Sequence, residues 1–181
     1  MRTATVIPYD RQWPTIFEKE SLLLKAVAGE VIIAVHHIGS TAVPGLSAKP
    51  VIDILLEVVG LNELDRCTSA LARAGYRPRG ENGIVGRRYF IKGGDRRSHQ
   101  VHAFAEGNSQ IVKHLAFRDY LIKNATVAAH YARIKYAAVL AANNDIHRYS
   151  ALKADFIEYY SMLALNDADG PCKSDSPESP P

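Results

Sequence analysis

The chain has 181 residues, 47% of them hydrophobic, which is enough for one buried core and too little for two large domains. Its 22 basic and 19 acidic side chains leave a formal net charge of +3 spread along the chain. No polybasic run of the kind that wraps an extended nucleic acid is present, while a small anionic ligand stays compatible.

Trp13, Ile16, Phe17, Leu24 and Val27 recur at helical spacing behind Pro8 and Asp10, with Gly29 as a stop, so residues 12–28 are predicted to form an amphipathic helix. The β-branched run Val31 to Val35 reads as a strand, and His37-Ile38-Gly39-Ser40-Thr41 as the turn after it. After a loop, Val51 to Val59 is apolar on both faces except at Asp53 and Glu57, the pattern of a strand covered on both sides. Asn62 opens a predicted helix to about Ala74, with Leu64, Cys67 and Leu71 on one face and Gly75 at its end.

Ile84 to Lys92 and Ser98 to Ala105 are two further strand-like runs joined by Gly93-Gly94-Asp95-Arg96-Arg97, a hairpin with a slightly long turn. From Ser109 the pattern is helical: Ile111, Leu115, Arg118 and Leu121, then Tyr131 to Leu140, then Tyr149 to Leu163. The expectation is an α+β domain over residues 1–165, with four strands in one small mixed sheet and helices packed on it. Residues 166–181 are polar and rich in proline and serine, which predicts a disordered tail.

Cys67 and Cys172 form neither a disulfide framework nor a zinc spacing, and the N-terminus lacks the apolar core of a signal peptide. No apolar run approaches the roughly 20 residues of a membrane span. A cytoplasmic protein is the expectation.

Chemistry concentrates between His37 and Asp53. Gly39 lets the backbone approach a phosphate, and the Ser40 and Thr41 hydroxyls and nearby amides can donate to its oxygens. Asp53 would then offer an oxygen to a magnesium ion bridging nucleotide phosphates. The plain alternative is a tight turn at Gly39 and a carboxylate that only caps amides. Lys49, Arg87 and Arg88 are the cations best placed to neutralise a triphosphate; strand alternation sends Arg87 and Arg88 to opposite faces, so at most one serves. Lys135 and Lys153 fall in helices, where solvent exposure is the usual reading, and the tyrosines of the C-terminal half read as core packing.

The string HHIGSTAVPGLSAKPVIDILLEV, with Tyr9 to Trp13, Arg87-Arg88-Tyr89-Phe90, Val101-His102, LAFRDYL at 115–121, and Tyr131, Lys135, Tyr149, Lys153 and Phe156, resembles the GrpB family from about Tyr9 to Tyr160. That family is placed in the nucleotidyltransferase superfamily typified by DNA polymerase beta, whose signature is a Gly-Ser turn followed by an acid-any-acid strand. The resemblance implies a small mixed sheet with helices and a nucleotide-plus-magnesium site, and raises a role for Lys135 and Lys153.

Here the second acid is replaced by Leu55, and Glu57 lies roughly 13 Å along the strand from Asp53, too far to share a metal. In the third strand, where the superfamily pattern implies a last acid, stands Gln100-Val101-His102; the resemblance implies His-any-His there in many members, so Gln100 is a departure. His102 reads three ways: as general base on an acceptor hydroxyl; with Asp53 and His37 as ligand to zinc, nickel or iron; or as a hydrogen-bonded member of the sheet. The favoured expectation is transfer of a nucleoside monophosphate from a nucleoside triphosphate to a small-molecule acceptor, with Mg2+ or Mn2+. The alternatives are a noncatalytic nucleotide- or phosphometabolite-binding module and a transition-metal site on the same scaffold.

Overall fold

The computed structural model describes residues 5–143 and 145–168; the predicted tail from residue 169 onward, including Cys172, lies outside the described residues. The first helix, α1 (Trp13–Ala28), carries Pro14 in its opening turn and ends at Gly29, whose φ of 56° halts the helix. Its buried residues are Trp13, Glu20, Leu24 and Ala28. Strand β1 (Ile32–Ile38) runs three residues beyond the predicted end, because His36 and His37 pair with Leu55 and Ile54 of β2 (Ile52–Val58) despite breaking the β-branched run.

The predicted single helix after β2 is two, α2 (Leu61–Arg66) and α3 (Thr68–Arg73), meeting at Cys67, and the first is entered from Gly60 without a side-chain cap from Asn62. A fifth strand, β3 (Tyr76–Pro78), escaped the sequence pattern: three residues ending in proline are too short to show alternation. The predicted hairpin is formed by β4 (Arg88–Lys92) and β5 (His99–Ala105). β4 starts four residues later than Ile84, since Ile84 and Arg87 are tied into turns by bonds from Ile84 N to Glu81 O and from Arg87 N to Ile84 O. Among the described residues four helices follow: α4 (Ser109–Lys123), capped by the Asn108 side chain, α5 (Ala125–Ala142), α6 (Ile146–Ala151), capped by Asp145, and α7 (Ala154–Ala168). The last two divide the predicted stretch 149–163, and α7 carries on past residue 165.

The sheet order is β1-β2-β5-β4-β3, with β2 and β5 parallel and the other neighbours antiparallel. One face carries Ile54, Leu56, Val58, Phe90, Val101 and Ala103 against Trp13 and Leu24 of α1, Leu64 of α2 and Leu71 of α3. On the other face Ile38, Leu55 and Phe104 meet Ile111 of α4, while Val43 and Leu46 of the β1–β2 loop pack with Leu121, Tyr131 and Phe156 from α4, α5 and α7. Ile54, Leu55 and Leu56 are fully buried, each contributing about 1.5–3 kcal/mol by leaving water. Since side chains alternate along β2, Asp53 and Glu57 share the face of Leu55, beneath the C-terminal helices.

Candidate functional site

Gly39 joins β1 to the short 3-10 turn Ser40–Ala42 with a φ of 69°. A Cβ at Gly39 would lie 2.6 Å from Asp53 Oδ2 and 3.0 Å from its Cβ, so the turn sits directly against the carboxylate. Two independent reasons therefore require glycine: the left-handed backbone and the contact with Asp53. Arg118 of α4 donates to the carbonyl of His37 at 3.1 Å and to Asp119 at 2.7 Å, clamping the end of β1 where the turn begins. His37 Nε2 lies 2.9 Å from Thr41 Oγ1, its ring stacked on Phe17 at 4.7 Å and 7°. Burial pushes the His37 imidazole down to about 4, so it braces the turn as a neutral ring.

Asp53 has His102 as an ion-pair neighbour, Nε2 to Oδ1 3.9 Å. Behind His102, the Arg87 guanidinium stands 3.2 Å from Nδ1 and is itself held by the carbonyls of Glu81 at 3.0 Å and Asn82 at 2.7 Å. A guanidinium only donates, so Nδ1 accepts and the proton of the neutral ring sits on Nε2, facing Asp53. His102 thus turns an N–H rather than a lone pair towards the carboxylate, 3.9 Å away and beyond hydrogen-bond length, which does not suit a general base. Its ring also packs against Tyr89 at 5.1 Å and His114 at 5.4 Å.

Ser40, Thr41, Lys49, Asp53, Lys135 and Lys153 line one cavity of about 50 Å³, with Gln100 and Tyr149 completing its wall. Lys135 is 1% exposed, reaches the carbonyl of Ser47 and lies 4.5 Å over the Tyr131 ring. Burial, with Lys153 adding repulsion, lowers its ammonium to about 7. Lys153 is also lowered by burial, against the pull of Asp53, and both Lys153 and Lys49 rest on the Tyr149 ring at 4.7 and 4.8 Å. Burial first and Asp53 second push the Tyr149 phenol up to about 12. The expectation of solvent-exposed lysines at 135 and 153 is corrected: both belong to this cavity, and the signal that could have found them was the family-matching quartet Tyr131, Lys135, Tyr149 and Lys153.

A larger cleft of about 560 Å³ adjoins the cavity, sharing Lys49 and Gln100 as lining residues. Among the predicted residues, Gly39, Ser40, Thr41, Lys49 and Asp53 come together, with His102 and Arg87 behind Asp53. Arg88 does not join them. It makes a paired contact with Asp65 of α2, 2.8 Å to each oxygen, on the opposite side of the sheet.

The metal set Asp53, His102 and His37 is also not assembled. His37 is the register partner of Ile54, not of Asp53, so its side chain lies on the α1 face. Among the described residues no group of three His, Cys, Asp or Glu side chains could hold a metal ion. Leu55, at the position of a second acid, is fully buried against Ile38, Phe104 and Ile111. One carboxylate flanked by three lysines does not fit a resident two-metal centre. Among the described residues no helix is long and apolar enough to cross a membrane.

Comparison with known proteins adds a lineage. The family model described as GrpB protein matches residues 3–162. The UPF0157 protein YqkA of Bacillus subtilis is 42% identical over 157 residues, covering 87% of this chain but 46% of its own length, so this chain spans about half of that relative. The glutamate-rich protein GrpB of Alkalihalophilus pseudofirmus is 31% identical over 158 residues, 84% of this chain and 91% of that one. The crystal structure of the conserved protein GrpB from Enterococcus faecalis superposes with a TM-score of 0.87 at 39% identity, covering 91% of this chain and 99% of that one.

Proposed function

The chain belongs to the GrpB family, and on that premise we propose that it transfers a nucleoside monophosphate from a nucleoside triphosphate to a small acceptor. One observation carries the reading: the Gly39–Ser40 turn, the Asp53 carboxylate and three lysines from distant parts of the chain converge on a single cavity. That cavity is about 50 Å³, against roughly 30 Å³ per molecule in liquid water, a volume suited to phosphoryl groups rather than to a whole nucleotide.

In this reading Ser40 and the amides of its turn hold phosphate oxygens, and Lys49, Lys135 and Lys153 oppose their charge. Magnesium or manganese arrives as part of the substrate, bound to the triphosphate; it would neutralise phosphate charge, with Asp53 as the protein carboxylate facing it. The acceptor hydroxyl oxygen forms a bond to the α-phosphorus, the bond from that phosphorus to the bridging oxygen breaks, and pyrophosphate leaves. Asp53 takes the hydroxyl proton, with the His102 N–H 3.9 Å from its carboxylate and Arg87 fixing the tautomer of His102.

The test is release of pyrophosphate from a set of triphosphates with magnesium or manganese and a metabolite extract. Wild-type protein is expected to release it and Asp53→Asn to lose the signal by about 100-fold or more. A second reading, a module that binds nucleotide without turnover, draws support from buried Leu55 in place of a second acid. Triphosphate binding that is weakened by Ser40→Ala, with no pyrophosphate from the wild type, would select it.

A further inference from the structure

The cleft beside the cavity has a composition that the triphosphate does not account for. It is lined by Lys49, Arg77, Arg79 and Arg97, with Asp95 as the acid among its lining residues. Strand register explains how these cations face the site. Asp53 pairs with Gln100, Gln100 with Ile91, and Ile91 with Arg77, so one cross-strand row leads from the carboxylate on β2 across β5 and β4 to β3. Register partners project to the same face, and Arg79, two residues after Arg77, continues that side of the chain. At about 4.8 Å per strand, Arg77 stands roughly 14 Å from Asp53 along the row, and its side chain spans part of that distance.

The direction of the row also matters. The Ser40 turn follows β1, on one side of Asp53, and the cleft lies on the other, beyond Gln100. Phosphoryl transfer places attacking and leaving oxygens roughly in line. With pyrophosphate leaving over Ser40, Lys135 and Lys153, the attacking hydroxyl enters from the Gln100 side, out of this cleft. We infer that the cleft is the acceptor subsite and that the acceptor is a phosphomonoester of metabolite size, its hydroxyl at Asp53 and its phosphate between Arg77 and Arg79. This rests on the transfer reading for its orientation, while the cleft's preference for a phosphate ester rests on the arginines alone. A volume of about 560 Å³ lies within the roughly 300–1,000 Å³ of small-molecule sites. Arginine pairs favour planar, bidentate contact with phosphate.

Calorimetric titration of the full chain with ribose 5-phosphate, glucose 6-phosphate and glycerol 3-phosphate, each against its neutral parent, tests this. At least one ester is expected to bind tenfold or more tightly than its parent. Arg77→Ala/Arg79→Ala should erase that difference, and Ser40→Ala should leave it. Both arginines are exposed, so the double variant is expected to keep the wild-type melting temperature; the milder Arg77→Lys/Arg79→Lys should retain part of the preference. No ester preference in the wild type, or a preference that survives Arg77→Ala/Arg79→Ala, overturns the proposal. So does a short RNA oligonucleotide binding more tightly than every ester. ATP titrated in parallel separates the two readings: ester binding through the arginines without ATP binding removes the transfer reading and leaves the anion site standing. ATP binding sensitive to Ser40→Ala without ester preference does the reverse.

Discussion

Glu20 and Asp53 stand on opposite sides of the same sheet, each a carboxylate among lysine, histidine and tyrosine, yet their surroundings differ. Glu20 accepts from Tyr76 at 2.8 Å and from Lys92 at 2.6 Å, with His99 Nε2 3.7 Å away, and the whole group is packed between α1 and the sheet. Asp53 has His102 at 3.9 Å, its side chain is 28% exposed, and it looks into a cavity where lysines outnumber it three to one. The first arrangement is electrically closed and holds α1 to β3, β4 and β5. The second sets three lysines, two of them destabilised by burial, around one partly exposed carboxylate, and under the proposed reading an incoming anion completes it.

Substitutions on the two sides of the sheet separate these roles. Leu55→Asp, which would restore the missing second acid, is expected to have the largest effect: it places an unpaired carboxylate among Ile38, Phe104 and Ile111 and costs about 4 kcal/mol, seen as loss of the folded baseline in urea titration. Survival of a fully stable Leu55→Asp protein would show that water reaches the Leu55 side of β2. Glu20→Ala comes next, at about 3 kcal/mol in the same titration, because it strands Lys92 and the Tyr76 hydroxyl.

Lys135 gives a pH signature that is smaller per pH unit than either of these costs. Its folded value is about 7 against an ordinary 10.5, so between those limits the unfolded chain holds a proton that the folded chain lacks. Stability from this group is therefore fully present above pH 10.5 and is lost as pH falls towards 7, with a slope approaching about 1.4 kcal/mol per pH unit inside the window. Lys135→Met should flatten the wild-type curve over that window; parallel curves would mean the lysine is solvated. The smallest effect is expected for Asp53→Asn, within about 1 kcal/mol of wild type in urea, since the carboxylate is not what holds the fold. A cost like that of Glu20→Ala would make Asp53 a structural residue and end the comparison.

Much of this architecture was legible in the residues. Helical spacing marked α1 to its last turn, and the two flanks of the hairpin announced β4 and β5. The turn and acid could be named as a pair because Gly-Ser before an acid-bearing strand is a local pattern. Where the reading erred, the cause was tertiary. His36 and His37 remain in β1 because β2 supplies their backbone partners, and β3 exists only because β4 offers an edge to Tyr76–Pro78. The division of Arg87 from Arg88 followed from alternation, but which one stands on the Asp53 side depended on the register that pairs Arg88 with Ala103 on the α1 face.

Periodicity, turn residues and β-branched runs were enough for a mixed α+β domain with a glycine-serine turn ahead of a lone strand carboxylate, since each depends on neighbours within a few positions. That Lys135 and Lys153, 82 and 100 residues after Asp53, are drawn out of water to its side, and that His37 turns away from it, follows from how the whole chain packs. The difference is one of range. Local sequence sets backbone conformation, whereas charge and burial at Asp53 are set by elements that meet only when the C-terminal helices close over the sheet.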